Sequence, residues 1–359
     1  MGYPTLYWED VKEGQDIESY EYEINWPRLV AAVRASGIYD YVHFDRDYAQ
    51  AAGLRDAFVG TYHVTGGFGR VMTDWTGPEA DIRRLSFRML DQSCPGDIWQ
   101  VTGKVTRKYQ GDDGEYLVDL DLNIAHQRNE HVATASSTVA LPSRVGGPVK
   151  VREGGAQKPE IPLDPELPDF ARPFIGKVIM KRHSISPVEE TQIRHWCEFI
   201  EDWNPLYWDK EFAAKSRYGS LKVPPGMYHV VLEHIPASFG IGYLKPGEKV
   251  PDSIQRGLHG LELLQELRAG FLGGGEGEQR FMPPGCNEQV ATNSVYHYLA
   301  PIRPGDLIYM TNELANCSGK KKTRLGEGYF ATSLWCWYNQ RDELVATNIF
   351  TLFDYPRAS

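Results

Sequence analysis

The sequence predicts an α+β fold made of two copies of one unit, in which helices come first and an antiparallel sheet follows. Three observations predict it. Four short anchors recur in the same order in the two halves of the 359-residue chain. In each half, segments with helical periodicity precede segments with strand periodicity. A stretch rich in Pro and Gly separates the halves, as expected of a linker.

The length of the chain suits two domains of ordinary size. We place the first domain at residues 1–145, the linker at 146–176 and the second domain at 177–359. Hydrophobic residues make up 42% of the chain and charged residues 24%, which is typical of a globular protein that buries ordinary cores.

The internal repeat rests on four pairs of anchors. The pairs are Asp45-Arg-Asp-Tyr-Ala with Asp209-Lys-Glu-Phe-Ala, Gly60-Thr-Tyr-His-Val with Gly226-Met-Tyr-His-Val, Pro95-Gly-Asp97 with Pro304-Gly-Asp306, and Gln127-Arg-Asn-Glu-His-Val-Ala-Thr134 with Gln340-Arg-Asp-Glu-Leu-Val-Ala-Thr347. Between the second and third anchors the second half carries about forty extra residues. This excess lies in residues 238–285, and a loop of such length predicts a lid or a binding segment.

Helical segments open each half, where apolar residues recur at i, i+3, i+4 and i+7. A short helix follows, and then a segment that is apolar on more than one side, which predicts a buried central helix. The predicted helices are 26–33, 48–52 and 62–72 in the first half, and 193–200, 212–216 and 228–235 in the second.

Strand signals close each half, as alternating or β-branched runs separated by Gly, Asp and Asn. The predicted strands are 98–105, 116–125 and 132–141, then 307–314, 329–338 and 345–353. Helices followed by an antiparallel meander predict a sheet wrapped around a central helix, which is the hot-dog arrangement.

A motif in each half gives a family resemblance. The second half contains Glu201-Asp-Trp-Asn-Pro-Leu-Tyr-Trp-Asp209, followed by Ser216-Arg-Tyr-Gly219 and Val223-Pro-Pro-Gly-Met227. The first half contains a diverged copy, Gly37-Ile-Tyr-Asp-Tyr-Val-His-Phe-Asp45. These segments resemble the (G/E)-D-x-N-P-(L/I)-(H/Y)-x-D motif and the turns after it in MaoC-like and fatty-synthase-type dehydratase domains. The resemblance implies a double hot-dog fold.

The resemblance also implies a reaction, the reversible addition of water across the 2,3-double bond of an acyl-CoA thioester. In the family an Asp and a His five residues later bracket one water, because one group must take a proton and another must deliver one. Backbone N–H groups at the start of the buried helix meet the enolate-like oxygen. By position these donors are Gly60 and Thr61 in the first half, and Gly226 and Met227 in the second.

Neither half keeps the complete Asp/His pair. The first half has His43, but Ile38 stands at the Asp position. The second half has Asp202 and Asn204, but Tyr207 stands at the His position. Two accounts stay open: Asp40 replaces the missing carboxylate, or the first half is competent and the second only binds substrate.

We therefore predict His43 as the general acid/base, with Asp40 as its possible partner, and a binding role for the second-half residues. The substrate-binding candidates are Asp202, Asn204, Tyr207 and Gly226. Asn204-Pro205 is also a plain turn signal, and His63 and His229 are interpreted as structural.

The predicted enzyme is an acyl-CoA hydratase or dehydratase, and the long insert favours a bulky or branched acyl group. Two alternatives remain. One is a hot-dog acyl-CoA thioesterase, and the other is a non-catalytic subunit that completes its site with a partner hot-dog protein. In each case coenzyme A enters as part of the substrate, and no other cofactor is expected.

Charge and cysteine content exclude other classes. A formal net charge of −10 argues against nucleic-acid binding, and the short basic run Lys320-Lys321-Lys322 predicts a solvated turn or a contact to a cofactor phosphate. Five cysteines without a CxxC pair predict reduced thiols and no zinc site. No run of 18 apolar residues occurs, so we expect no membrane partner and a cytoplasmic location. A homo-oligomer, or a complex with another hot-dog subunit, is expected.

Overall fold

A computed structural model describes residues 3–38, 40–51, 53–154, 157–184, 186–232 and 281–356. The predicted insert at 238–285 therefore lies outside the described residues except for its last five. The predicted helix at 228–235 is described only as far as residue 232.

The first half contains three α-helices and five strands. In chain order they are β1 (Asp16–Glu23), α1 (Trp26–Ser36), α2 (Arg46–Ala51), α3 (Thr61–Thr76), β2 (Asp81–Met89), β3 (Ile98–Gln110), β4 (Tyr116–His126) and β5 (Asn129–Ala140). The described part of the second half repeats this order. Its elements are β6 (Val178–His183), α4 (Glu190–Ile200), α5 (Pro205–Trp208), α6 (Lys210–Lys215), β7 (Glu288–Tyr298), β8 (Tyr309–Cys317), β9 (Lys321–Thr323), β10 (Gly326–Tyr338) and β11 (Leu344–Tyr355).

The described strands form one eleven-stranded sheet in the order β1-β3-β4-β5-β2-β7-β11-β10-β8-β6, with β9 paired to β10. The order of the second half repeats that of the first in reverse, and the two meet where β2 pairs antiparallel with β7. At this seam Ser86 pairs with Val295, and both lie nine residues before the proline of a Pro-Gly-Asp anchor. A position that pairs with its own equivalent marks a local twofold axis between the duplicated units.

The helices pack on one face of the sheet, which we call the inner face. Asn25 caps the start of α1, where its Oδ1 accepts from the Arg28 amide at 3.1 Å, and Gly37, which has φ 69°, caps its end. The central helix α3 buries Val64, Phe68 and Val71 in a core shared with α4 and the sheet. The predicted buried helix of the first half is confirmed. In the second half the corresponding described segment is a 3-10 turn, Pro225–Val230.

Sequence periodicity missed β1, β6 and, above all, the seam strands β2 and β7. β2 carries Arg83 at a buried position, which hides its alternation. Burial of this guanidinium is tolerated because it forms ion pairs with Asp81, at 2.8 Å, and with Glu115, whose side chain is also buried. A register shift between Ile82 and Arg84 further disturbs the period of two.

The described residues of the predicted linker pack closely against the second half. Ile161 packs against a buried cluster that includes Leu334 and Cys336 on the outer face of β10. Leu167 packs in a buried cluster with Leu314 and Ala331. Ala331 lies four residues before Trp335 in β10, and because side chains alternate along a regular strand, both lie on the inner face of the sheet. The chain thus crosses from one face of the sheet to the other between residues 161 and 167.

Among the helices of the described residues, none is long and apolar enough to cross a membrane.

Candidate active site

The first-half motif forms a short turn between α1 and α2. The Asp40 carboxylate accepts from the Val42 amide at 3.5 Å and caps the 3-10 turn Tyr41–His43. His43 ends this turn, and its amide donates to the Asp40 carbonyl at 2.9 Å. Asp40 therefore has a structural task as well as a position near the candidate base.

The imidazole of His43 is held in one orientation. Its Nδ1 lies 2.8 Å from the carbonyl oxygen of Phe58, and the rings of Phe58 and Tyr62 meet it edge-on at 5.1 and 5.6 Å. Because a carbonyl only accepts, Nδ1 carries the proton and Nε2 presents its lone pair. Burial lowers the pKa of His43, although the Phe58 carbonyl and the charge of Asp40 oppose the shift. The ring is therefore neutral at pH 7 and able to accept a proton.

The start of α3 supplies backbone donors beside this histidine. Gly60 is the N-cap, and Thr61 is the first helical residue. A Cβ at Gly60 would come within 2.4 Å of the Tyr62 ring, so only glycine fits there without moving that ring. The free N–H groups of a first helical turn, together with the helix dipole, favour negative charge.

A cavity opens at Thr61 and crosses the seam into the second half. Its walls are Thr61, Phe87 and Met89 from the first half, and Ala291, Thr292, Asn293, Ser294 and Phe350 from the second. The Thr61 hydroxyl lies 3.7 Å from the sulfur of Met89. The first-half site therefore adjoins a mostly apolar surface built by both halves.

The carboxylate that the motif requires is absent from its usual position. Ile38 is half-buried and packs against the core. The described first-half motif thus brings one histidine, one capping carboxylate and the helix N-terminus together, without a complete pair.

The second-half motif lies against the other end of α3. Asp202 is 3% exposed, and its two oxygens accept from the Asn204 amide and the Thr73 hydroxyl, both at 3.1 Å. Burial raises the pKa of Asp202 to about 7. Tyr207 is buried beside it, and burial raises the pKa of its hydroxyl well above the usual value.

Asn204 and Gly226 both have local structural contacts. The Asn204 side chain accepts from the Leu206 amide at 3.1 Å and caps α5, as the turn interpretation expects. The Gly226 carbonyl accepts from the Thr65 hydroxyl at 2.9 Å, and a Cβ at Gly226 would stand 2.8 Å from the Thr65 carbonyl oxygen. A side chain at this position would therefore collide with the backbone of α3.

The two motifs form separate sites. The ring of His43 contacts Tyr62, whereas Asp202 bonds Thr73, eleven residues further along α3 and about 16 Å away at 1.5 Å per residue. His43 and Asp202 therefore cannot share one water.

The structure adds a buried ionic cluster that the sequence did not reveal. Lys222 is 4% exposed, and its Nζ lies 2.8 Å from Asp81 Oδ1 and 3.3 Å from the Tyr218 hydroxyl. Although burial opposes the shift, the charges of Lys222 and Arg83 hold the pKa of Asp81 well below its usual range. The cluster fastens β2 of the first half to the loop before the second-half turn. Lys222 also lines a small cavity together with Asn204 and Tyr207.

His63 is fully buried in a box of aromatic rings formed by Tyr22, Tyr62, Trp99 and Phe199. Within the part of the chain that the structure describes, neither ring nitrogen has a hydrogen-bond partner. Burial lowers the pKa of His63 to about 3, so it is neutral at physiological pH. This geometry agrees with the structural interpretation of His63.

Comparison with known protein families supports the resemblance seen in the motifs. Residues 174–262 match the model of the FAS1-like dehydratase domain region. The match includes the whole second-half motif and the Pro-Pro turn that follows it.

Among the curated proteins that are similar in sequence, two are named as alpha subunits of hydratases. One, from Thermomonospora curvata, is named "Probable enoyl-CoA hydratase alpha subunit" and is 31% identical over 183 residues, which cover 51% of this chain and 50% of that protein. The other is the 3-oxo-4,17-pregnadiene-20-carboxyl-CoA hydratase alpha subunit of Mycobacterium tuberculosis, 26% identical over 162 residues, covering 45% and 43%. The chain therefore spans about half the length of these relatives.

Solved structures confirm the predicted double hot-dog fold. A MaoC domain protein of Chloroflexus aurantiacus superposes with a TM-score of 0.63 at 15% identity over 99% of both chains. A Mycobacterium tuberculosis protein described as a double hotdog fold gives a TM-score of 0.59 at 14% identity, over 98% of this chain and 99% of its own.

Proposed function

We propose that this chain is an acyl-CoA hydratase or dehydratase, which adds water to an enoyl-CoA or removes it from a 3-hydroxyacyl-CoA. One observation carries the proposal, the placement of His43 beside the N-terminus of α3 with Nδ1 bound to the Phe58 carbonyl and Nε2 left as a base. The names of the two sequence relatives, both hydratase subunits, support the same reaction.

The chemistry follows from this placement. The thioester oxygen would accept from the N–H groups at the start of α3, at Gly60 and Thr61, where enolate charge is favoured. His43 Nε2 would take a proton from the water that attacks C3, and the imidazolium so formed would deliver that proton to C2. In dehydration the same groups act in reverse.

Replacement of His43 by Ala tests the role of this histidine. We expect kcat/KM for a panel of enoyl-CoA esters to fall about a hundredfold or more, because a general acid/base is lost. His131→Ala, at an exposed histidine of the same half, is the matched control and should keep full activity. Activity within a few-fold of wild type in His43→Ala would place the chemistry elsewhere. Steady release of free CoA without water addition would favour the thioesterase.

Asp40→Asn tests whether that carboxylate takes part. The amide oxygen of asparagine can still accept from the Val42 amide, so the turn keeps its cap while the charge is removed. We expect kcat/KM to stay within a few-fold of wild type, because the cap is the task that the geometry supports. A hundredfold loss would instead make Asp40 the second proton-transfer group.

A second candidate is that the chain binds the thioester while another hot-dog subunit supplies the complete Asp/His pair. It is favoured by Ile38 and Tyr207, which replace one member of the pair in each half, and by the alpha-subunit names of the relatives. Purified chain that binds acyl-CoA esters but hydrates none would support it. Turnover by the purified chain alone, abolished in His43→Ala, would exclude it.

The acyl group is proposed to be bulky or branched. The support is the name of one relative, a hydratase of a pregnadiene carboxyl-CoA. Comparing kcat/KM for short, branched and polycyclic enoyl-CoA esters tests this, and a preference for four-carbon esters would contradict it.

The five cysteines are free thiols, which supports a reducing compartment such as the cytoplasm.

A further inference from the structure

The sheet ends in two edge strands, one from each half. Within the described residues, β1 and β6 stand at the two ends of the strand order. Each of them pairs with one strand only, β1 with β3 and β6 with β8. The backbone N–H and C=O groups on the other side of an edge strand can pair with a strand of another molecule. Both ends of the sheet are therefore candidate interaction surfaces.

The two edges carry charges of opposite sign. β1 has the sequence Asp-Ile-Glu-Ser-Tyr-Glu-Tyr-Glu, with four acidic residues and no basic one. β6 has the sequence Val-Ile-Met-Lys-Arg-His, with two basic residues, one histidine and no acidic one. Charges on edge strands prevent pairing between copies when both edges have the same sign, because like charges repel. Opposite signs instead attract one edge of a copy to the other edge of the next.

The charges on these edges are available to a partner. Glu21 and Glu23 of β1 and Lys181 of β6 are all exposed. Within the part of the chain that the structure describes, none of the three has an ion-pair partner. The Lys181 ammonium lies over the ring of Tyr309, 4.5 Å from its centre, which leaves its charge uncompensated.

The charges of both edges point to the same face of the sheet. Tyr22 is buried in the main core and Met180 packs against it, so both side chains point to the inner face. Side chains alternate along a strand, so the neighbours of these two residues point to the outer face. Those neighbours are Glu21 and Glu23 in β1, and Lys181 in β6, with His183 two residues further.

An antiparallel pairing of the two edges matches these charges. A register that places Glu23 opposite Lys181 also places Glu21 opposite His183, because the two strands run in opposite directions. Directly paired residues point to the same face, as the charges of both edges do. Both strands are regular over this stretch, since their register shifts end at Tyr20 and at residue 180.

We propose that copies of this chain associate edge to edge, with β1 of one copy adding to β6 of the next as an antiparallel strand. Backbone hydrogen bonds join the two strands, and the pairs of Glu23 with Lys181 and Glu21 with His183 select the partner and the register. Because the contact joins two different surfaces, it produces head-to-tail assemblies, either rings or open rows. This association is independent of the proposed function.

Sedimentation velocity of the full chain tests the proposal. We expect the average mass of the wild type to rise with protein concentration. The dissociation constant should increase about tenfold between about 0.05 M and 0.5 M NaCl, because salt screens the exposed charges that hold the edges together.

Charge reversal at each edge gives a sharper test. Glu21→Lys/Glu23→Lys makes both edges basic, and Lys181→Glu/His183→Glu makes both edges acidic, so each variant alone should be monomeric. An equimolar mixture of the two should associate again, because every edge then meets an edge of opposite charge. Asp121→Lys is the matched control, at an exposed position of the interior strand β4, and should associate like the wild type.

A wild type that stays monomeric at every concentration would overturn this inference, and so would association that is insensitive to salt. Association that survives either charge reversal would overturn it as well. The same holds for a mixture that stays monomeric although circular dichroism shows both variants to be folded. None of these results bears on the proposed function, which depends on His43 and the start of α3.

Discussion

At the scale of single residues, Asp202 shows what a motif can and cannot predict. The motif identified Asp202, Asn204 and Tyr207 as neighbours in sequence, and they do line one region next to α3. The motif could not predict that Thr73 of the first half bonds the Asp202 carboxyl, because this contact joins residues far apart in the chain. The same holds for His43, whose partner is the backbone carbonyl of Phe58.

The raised pKa of Asp202 makes stability depend on pH in a definite direction. The pKa is about 7 in the folded protein and about 3.9 in an unfolded chain. The folded state therefore holds the proton more tightly, and this contribution is complete below about pH 4 and lost as pH rises through 7. Because of this carboxyl, we expect the free energy of unfolding of the wild type to fall by about 2–4 kcal/mol between pH 5 and 8.5. In Asp202→Asn this fall should be absent.

Urea denaturation at the two pH values measures this effect. Asp169→Asn, at a fully exposed side chain, should leave the pH dependence unchanged. If Asp202→Asn lost stability between pH 5 and 8.5 as the wild type does, the buried carboxyl would not be its source.

At the scale of elements, α3 was predicted from its apolar residues, but its glycines were not explained by sequence. Each glycine in a helix costs about 1 kcal/mol relative to alanine. A Cβ at Gly66 would stand 3.0 Å from Ile200, and one at Gly67 would stand 3.0 Å from Trp99. These glycines let α4 and the sheet approach the helix closely, and only the tertiary structure shows which glycines are needed.

Gly69 and Gly226 form a matched pair for testing this explanation. A Cβ at Gly69 would meet only the Gly226 nitrogen at 4.0 Å, whereas one at Gly226 would meet the Thr65 carbonyl oxygen at 2.8 Å. We expect Gly69→Ala to stabilise the protein by about 0.5–1 kcal/mol through helix propensity. Gly226→Ala should destabilise it by about 1–3 kcal/mol because backbone must move. Urea denaturation of both variants checks this, and similar losses in the two would contradict the packing argument.

At the scale of the whole molecule, the anchors predicted the duplication, while the sharing of one sheet emerged only from the structure. β2 and β7 were missed because Arg83 is buried in an ion pair, and their pairing is a long-range contact. Prolines and glycines predicted a linker at 146–176 but said nothing of its packing. Three of its apolar side chains, Ile161, Leu167 and Phe170, cover both faces of the second-half sheet.

This packing predicts that the linker contributes to the stability of the second half. Leu167 is 6% exposed and belongs to a buried cluster that includes Leu314 and Ala331, whereas Leu163 is 51% exposed. We expect Leu167→Ala to lower the free energy of unfolding by about 2–4 kcal/mol, because a cavity opens between the linker and the sheet. Leu163→Ala should change it by about 0.5 kcal/mol or less. Denaturation monitored by tryptophan fluorescence measures both, since Trp335 and Trp337 lie in the affected half. Equal small effects of the two substitutions would show that the segment only connects the halves.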